Sequence, residues 1–477
     1  MAVTLGEVVA HTAVTVDGPV SAVPTAEPGS AVPNGELDAA AAPALVAEIG
    51  ARARVAARAL AGATTAVKDA GLRAAAAGLR AGTARVLAAN VLDLDAAGRV
   101  GATPAVLDRL ALDGPRIDAI AAGLETVAGL PDPVGTVVRG STMPNGLTLR
   151  QVRVPFGVLA VIYENRPNVT ADAAGLAVKS GNAVVLRGSG GAAHTNAAIV
   201  GLLRSSLAGA GLPADSVCLL DGRGREPALA LMRARGVVDL LIPRGGGGLI
   251  AEVVRTATVP VVETGVGNCH VYVDAAADED LALDVLVDSK CDRPSVCNAA
   301  ETLLVHADVA ATFVPAAVRA LSARGVRIHG DSRTRALAGA DSGEVARATV
   351  EDFAAEYLSL DIAVAVVDSL DAALDHIRRY STGHTEAIVS DSVTAVAAFT
   401  AGVDAAAIAV NASTRFTDAA RFGFGAEIGI STQKLHARGP LGLPELTTTT
   451  WVYTGHGQTV GPGRGRTVGP GPSRPGR

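Results

Sequence analysis

Cys297 is the residue whose side chain and position most clearly suggest chemistry. It lies in a turn between a predicted helix at 281–289 and a predicted strand at 302–306. A thiolate in such a turn can attack a carbonyl carbon, and the nearby cations Lys290 and Arg293 would lower its pKa or hold an anionic substrate. A buried, inert thiol is the alternative interpretation.

The four cysteines predict neither a metal centre nor a disulfide scaffold. Cys291 and Cys297 are six positions apart, which is not the close paired spacing of zinc ligands, and no matching pair lies elsewhere. Four cysteines are also too few to cross-link a chain of 477 residues. We therefore predict no metal and a reducing compartment, the cytoplasm.

Asn165 and Arg166 follow a short apolar run, 158–163, that is typical of a buried strand. Open α/β sheets bind ligands beyond the carboxyl ends of their strands. The amide of Asn165 is a donor that could stabilise an oxyanion, and Arg166 is a candidate contact for an acidic substrate. A polar turn without function is the alternative.

A glycine-rich turn follows the next predicted strand, 182–187, and precedes a helix. Its residues Arg187, Gly188 and Ser189 suit the binding of phosphate or ribose by a cation and backbone N–H groups. The turn is not the usual dinucleotide fingerprint, so the signal is weak by itself. No acidic residue occurs from 173 to 214, which favours a cofactor with an extra phosphate, NADPH.

A second glycine-rich turn contains Gly245 and Gly246 and precedes a predicted helix at 249–255. Backbone or ligand atoms can approach such glycines closely, and the amino end of the helix points at the turn. We predict a cofactor contact here, with a flexible surface loop as the alternative.

Lys434, His436 and Arg438 occupy alternate positions near the carboxyl end. On an extended segment they would share one side and could receive a phosphate or carboxylate. An exposed polar strand is the alternative interpretation.

Helices and strands alternate through most of the chain, which predicts a parallel α/β fold. The helices are predicted at 41–90, 115–128, 192–208, 249–255, 281–289 and 310–323. The strands are predicted at 148–154, 158–163, 182–187, 217–220, 238–242, 259–263, 271–273, 302–306 and 362–367.

Composition excludes several classes of protein. Apolar residues make up 49% of the chain and charged residues 18%, so whole-chain disorder is excluded. The net charge of −6 argues against a general nucleic-acid binder. No apolar stretch approaches the ~20 residues that span a bilayer, so we predict no membrane association. The first cationic side chain is Arg52, so we also predict no secretory signal.

Five segments in this order resemble the gamma-glutamyl phosphate reductase family, a branch of the aldehyde dehydrogenase superfamily. The similarity runs from about residue 41 to residue 457, and its longest motif, GAEIGISTQKLHARGP at 425–440, is close to diagnostic. The matching segments are 154–158 (VPFGV), 163–170 (YENRPNVT), 293–298 (RPSVCN), 410–416 (VNASTRF) and 425–440.

The resemblance implies an aldehyde-dehydrogenase-like α/β fold, with a Rossmann-type cofactor domain, an α/β catalytic domain and a small oligomerisation element. We expect a cofactor domain at 41–270, with part of an oligomerisation hairpin at 137–156, and a catalytic domain at 271–410. Residues 411–454 would complete the active site and the oligomerisation element. Residues 1–40 and the Gly/Pro/Arg-rich 455–477 lie outside the resemblance and are predicted to be disordered tails.

The resemblance also implies roles for individual residues. Cys297 matches the catalytic thiol, Asn165 the oxyanion-hole amide, Arg187 a cofactor-contacting cation, and Glu356 the carboxylate that binds the nicotinamide ribose. The implied reaction is NADPH-dependent reduction of L-glutamyl 5-phosphate to glutamate 5-semialdehyde through a thioester. This is the second step of proline biosynthesis from glutamate.

A separate glutamate kinase would supply the acyl phosphate, and a homo-oligomer is expected. Three alternatives stay open at the level of sequence. The chain could oxidise an aldehyde with water, which needs Glu263 as a base, or reduce a different acyl phosphate. It could also be a binding protein whose Gly/Arg tail captures RNA, although the intact Cys297 and Asn165 argue against that.

Overall fold

The computed structural model describes residues 40–221, 224–339 and 344–460. The two predicted tails lie outside these ranges, except for residue 40 and residues 455–460. In the described part, no helix is long and apolar enough to cross a membrane.

The amino-terminal part is helical, as its apolar spacing predicts. In the first helix, Val46, Ile49, Ala53 and Leu60 recur at intervals of three, four and seven residues and are all buried. They join one core with the sheet that follows. The helices are Ala42–Ala61, Thr65–Ala81, Thr83–Arg99, Pro104–Leu110 and Gly114–Gly129.

A four-stranded parallel sheet occupies the first α/β part. Its strands, in spatial order, are Val217–Leu219, Ala183–Gly188, Val158–Tyr163 and Leu240–Arg244. Every residue of the two central strands is buried, because helices cover both faces of a parallel sheet. The helices of this part are Pro167–Lys179, Ala193–Gly209, Glu226–Met232 and Gly247–Thr256.

A seven-stranded parallel sheet forms the second α/β part. Neighbouring residues such as Leu303 and Leu304 point to opposite faces, each into its own apolar cluster. The strands, in spatial order, are Val345–Arg347, Arg327–Gly330, Asp361–Val367, Ala300–His306, Cys269–Val273, Thr385–Val389 and Ala407–Val410. The helices are Glu279–Cys291, Ala307–Ser322, Ser332–Leu337, Val350–Ala354, Leu370–Tyr380 and Val393–Gly402.

Two small antiparallel sheets complete the described part. The strand Thr447–Thr454 pairs with Thr148–Pro155, which also pairs with Val137–Thr142. The two-residue strands Ile430–Ser431 and Gly439–Pro440 pair with each other. The pairing of Thr447–Thr454 with Thr148–Pro155 joins the carboxyl-terminal segment to the hairpin at 137–155. The domain limits given by the sequence analysis remain predictions.

Two sequence-based predictions of secondary structure are wrong. The predicted strand at 259–263 makes only an isolated bridge from Val261 to Leu241, since Pro260 has no N–H with which to extend a ladder. The segment that carries Lys434, His436 and Arg438 is not extended. Residues 433–436 form a bend between two short strands, and His436 does not share the side on which Lys434 and Arg438 lie.

Three of the four lysines are buried in ion pairs. Lys68 pairs with Asp132, Lys179 with Asp69, and Lys290 with Glu301. In the last pair, Nζ lies 2.6 Å from Oε2 and both side chains are 0% exposed. The Oε1 atom of Glu301 accepts the N–H of Leu358 at 3.1 Å, so this one carboxylate links two distant segments.

We predict that Lys290→Met lowers the free energy of unfolding by about 3–5 kcal/mol, because it leaves the Glu301 carboxylate buried without its cation. The double variant Lys290→Met/Glu301→Gln removes both charges and keeps the acceptor for Leu358, so it should recover most of the loss. Urea denaturation measures both values. As a control, Arg378→Met breaks an exposed pair with Asp375 and should cost less than about 1 kcal/mol. Equal losses in the single and double variants would contradict this account.

Candidate active site

Cys297 lies in a loop that hydrogen bonds hold in place. The loop connects the helix Glu279–Cys291 to the strand Ala300–His306. Asn298 Nδ2 donates to the carbonyl of Thr417 at 2.8 Å, and Thr414 Oγ1 donates to the carbonyl of Asn298 at 2.6 Å. Thr414 in the 410–416 motif and Thr417 just after it thus hold Asn298, the residue next to the cysteine.

Gly267 packs directly against the cysteine. A Cβ atom at this position would lie 1.4 Å from the carbonyl oxygen of Cys297, so no other residue fits. The N–H of Gly267 donates to Glu356 Oε1 at 2.7 Å, and the thiol of Cys269 donates to the Cys297 carbonyl at 3.3 Å. Glu356, the predicted ribose ligand, is therefore bound to the glycine that packs on the cysteine.

Arg244 is the main cation that acts on the thiol. Burial raises the pKa of Cys297 to about 11, Arg244 lowers it, and Glu427 and Glu356 raise it. Lys290, a cation proposed from the sequence, is committed to Glu301, and Arg293 is exposed.

Arg166 lies in the positive electrostatic field of Arg244. Burial, and then the guanidinium groups of Arg244 and Arg109, lower its pKa, whereas Cys297 and Glu164 raise it. Within the described ranges neither Arg166 nor Arg244 forms a salt bridge, so two cations that interact electrostatically with the thiol are available to an anion. The sequence analysis missed Arg244. The signal was its place at the end of the strand next to 158–163, the strand that Arg166 follows.

Asn165 is oriented for donation. Its backbone has φ +37°, a left-handed conformation that asparagine tolerates. The hydroxyl of Ser189 donates to Asn165 Oδ1 at 2.7 Å and accepts the Asn165 N–H at 3.1 Å. With its oxygen engaged, the amide has Nδ2 left to donate to an oxyanion.

A pocket lies at the predicted cofactor turn. Arg187 donates to the carbonyls of Gly188 and Gly224, and its Nε is buried without a partner in the described part. A buried guanidinium with an unused donor fits an anionic group of a cofactor. The lining residues are Arg187, Gly188, Ser189, Gly190, Ala193, Asn196, Leu219, Leu220 and Asp221.

Asp221 was not foreseen in that pocket. The cationic stretch 173–214 contains no acid, but the strand Val217–Leu219 brings Asp221 to the pocket wall and into the field of Arg187. A carboxylate in such a position suits a ribose 2′-hydroxyl, so the two side chains favour different cofactors.

Gly245 and Gly246, the other predicted cofactor residues, contact Glu164. The Gly246 N–H donates to Glu164 Oε2 at 3.0 Å, and a Cβ on Gly245 would lie 2.5 Å from the same oxygen. A side chain at Gly245 would therefore displace the Glu164 carboxylate, and one of the amides of the turn is already used.

The three alternating residues are engaged elsewhere. Lys434 and Arg438 both pair with the exposed Asp404. The His436 ring packs edge-on against Phe156 and its Nε2 lies 3.2 Å from the carbonyl of Glu445. None of these contacts is with the Cys297 loop.

Glu427 is a further residue that the sequence analysis did not select. Burial raises its pKa to about 7, although Arg244 lowers it. Its Oε2 atom is buried and has no hydrogen-bond partner among the described residues. The same ranges contain no cluster of three or more His, Cys, Asp or Glu residues that could hold a metal.

Comparisons with known proteins confirm the predicted fold class. Residues 112–358 match the model of the aldehyde dehydrogenase family. The gamma-glutamyl phosphate reductase of Thermobifida fusca is 57% identical over 412 residues, 86% of this chain and 98% of that protein. The protein of the same name from Kineococcus radiotolerans is 56% identical over 406 residues, 85% of this chain and 94% of that protein.

A solved structure gives the same result. The crystal structure of gamma-glutamyl phosphate reductase from Thermotoga maritima matches with a TM-score of 0.84 at 45% identity, over 87% of this chain and 99% of that one. The chain therefore belongs to the aldehyde dehydrogenase family and, within it, to the gamma-glutamyl phosphate reductases.

Proposed function

We propose that the chain reduces L-glutamyl 5-phosphate to glutamate 5-semialdehyde and phosphate, the second step of proline biosynthesis from glutamate. The names of the relatives above support this assignment. The observation that carries it within this chain is the placement of Arg166 and Arg244, without acidic partners, in the electrostatic field of Cys297. Unpaired cations beside a thiol suit a substrate with an acyl phosphate.

The first chemical step uses only residues of this chain and the substrate. The Cys297 sulfur attacks the γ-carbonyl carbon, and Asn165 Nδ2 and the Cys297 N–H hold the developing oxyanion. The C–O bond to phosphate breaks as the C–S bond forms. The thiol and the acyl phosphate thus give a thioester and hydrogen phosphate, and the thiol proton leaves with the phosphate.

The family implies a nicotinamide cofactor, and the residues at the predicted cofactor turn fit it. When bound, the reduced cofactor supplies the hydride that takes the thioester to the aldehyde level. Arg187, Gly188 and Ser189 would hold its adenosine end, and Glu356 its nicotinamide ribose. A side chain at Gly188 would displace Asn196, since a Cβ would lie 2.2 Å from Asn196 Nδ2.

We propose NADPH rather than NADH as the cofactor. The Nε of Arg187 is buried without a partner in the described ranges, and the segment 173–214 carries no acid that would repel a 2′-phosphate. Asp221 opposes this preference, so the selectivity depends on the balance between Arg187 and Asp221.

The substrate and the assembly follow from the same proposal. An acyl phosphate hydrolyses readily, so a separate kinase that phosphorylates glutamate must supply it in the same compartment, which we propose is the cytoplasm. We also propose a homo-oligomer that uses the three-stranded sheet. Trp451 is 48% exposed and Tyr453 is 70% exposed on its last strand.

Cys297→Ser should lower the reductase rate by at least about a thousandfold while the fold persists, because a hydroxyl is a far poorer nucleophile near neutral pH. NADPH oxidation with glutamate, ATP and added glutamate kinase measures the rate. Cys291→Ser is the matched control and should keep wild-type turnover. Wild-type activity in the Cys297 variant would contradict the thioester mechanism.

Arg187→Glu should reverse the cofactor preference from NADPH to NADH, because a carboxylate binds a 2′-hydroxyl and repels a 2′-phosphate. Asp221→Asn should move the preference the other way. Titration of both cofactors by protein fluorescence or by initial rates gives the two affinities. If the wild-type protein binds NADH as tightly as NADPH, the assignment of Arg187 to the 2′ position is wrong.

Arg166→Gln and Arg244→Gln should each raise KM for phosphate roughly tenfold to a hundredfold in the oxidative direction, because charge-assisted contacts contribute about 1.5–3 kcal/mol. Lys434→Gln is the control, and we expect less than a threefold change because its ammonium pairs with Asp404. The opposite pattern would return the anion site to Lys434, His436 and Arg438, with Arg293 as the next residue to test.

A further inference from the structure

We infer that a pocket lined by Glu427 and Asp172 binds the α-ammonium group of the substrate, and so selects acyl phosphates of α-amino acids. This inference rests on the proposed function and adds to it the group that recognises the amino acid. An acyl phosphate without an amino group would meet the same thiol and the same arginines. The cationic sites therefore cannot by themselves distinguish the two substrates.

The pocket is a cavity of about 210 Å³ with a mixed lining. Leu124, Val127 and Leu176 give it apolar walls, and the carboxyls of Glu427 and Asp172 are its two acidic groups. Apolar walls with a few converging polar groups are typical of a small-molecule site.

The two carboxyls have unused acceptor capacity. Glu427 Oε2 is buried without a hydrogen-bond partner in the part of the chain that the structure describes. Asp172 Oδ2 accepts from Asn168 Nδ2 at 3.0 Å. A buried carboxylate oxygen without a donor is costly, and an ammonium brings three donors and a compensating charge.

The pKa values of the two carboxyls shift in the direction expected for buried acidic groups without a cation in contact. Burial raises the pKa of Glu427 to about 7 and that of Asp172 to about 6, and Arg244 only partly offsets the effect on each. Arg244 forms no salt bridge with either carboxyl within the described ranges, so neither carboxyl is in direct contact with its guanidinium.

Arg244 links this pocket to the thiol. It lowers the pKa of Cys297 as well as those of Glu427 and Asp172, so all three groups lie within its electrostatic reach. Its Nη1 atom lies 3.6 Å from the point where a Cβ on Gly429 would stand, and Gly429 is two residues after Glu427. In the substrate, four bonds separate the ammonium nitrogen from the γ-carbonyl carbon, a reach of roughly 5 Å. A substrate attached at Cys297 thus needs an acidic group near its far end.

The test compares two aldehydes in the oxidative direction with phosphate and NADP. One is glutamate 5-semialdehyde, and the other is 5-oxopentanoate, which has the same length and no amino group. The wild-type protein should prefer the amino substrate roughly tenfold to a hundredfold in kcat/KM. Glu427→Gln should reduce this preference to less than about threefold, and Asp172→Asn should reduce it in the same direction. Glu48→Gln, an exposed carboxyl change on the first helix, should keep the wild-type preference.

A binding measurement separates recognition from chemistry. L-Glutamate should inhibit the wild-type protein more strongly than glutarate does, and Glu427→Gln should remove the difference. A wild-type protein that turns over both aldehydes equally would overturn the inference and leave the proposed function intact. Equal losses with both aldehydes in Glu427→Gln would also overturn it, because Glu427 would then act on the thiol. Failure of the wild-type protein to use glutamate 5-semialdehyde with phosphate would instead reject the proposed function.

Discussion

The contact between Gly267 and the carbonyl of Cys297 is the constraint on which the site depends. It joins the segment that leaves the first α/β part to the loop that carries the thiol, with no room for a side chain between them. The N–H of the same glycine orders Glu356, and Glu301 orders the backbone two residues further on. Lys290 completes the series by neutralising Glu301. The position of the sulfur is thus set by packing and by buried hydrogen bonds rather than by the cysteine loop itself.

Charge distribution divides the molecule into two kinds of region. Most buried cations have a carboxylate in contact, as Lys68 has Asp132. Around the thiol this rule does not hold: the half-buried Arg166 and Arg244 have no salt-bridge partner in the described ranges, and Glu427 Oε2 has no hydrogen-bond partner there. Such arrangements reduce stability and are characteristic of functional sites, where a ligand supplies the missing charges.

The fold class could be predicted well from the sequence, because it depends on local patterns, whereas the assignment of Cys297 as nucleophile stays a prediction. Apolar runs bounded by glycine indicated the central strands, and a motif of sixteen residues indicated the family. The charged residues around the site were predicted poorly from the sequence. Arg244, Asp221 and Glu427 reach their sites through strand order and loop packing, which spacing along the chain does not express. The prediction of an extended segment around Lys434 is wrong for a related reason. The chain forms only a two-residue strand on each side of this segment and bends between the two strands.

The last described strand has a consequence for how the protein folds during its synthesis. Thr447–Thr454 pairs with Thr148–Pro155, and the carbonyl of Leu446 accepts a hydrogen bond from Asn182 at 2.9 Å. During synthesis the ribosome adds about three hundred residues between these two strands, which takes tens of seconds at ~5–20 residues per second. Throughout that interval the nascent chain presents an open strand edge, which is a template for pairing with other chains. The protein therefore completes its small sheet only after Thr454 has been synthesised, long after the strand with which it pairs.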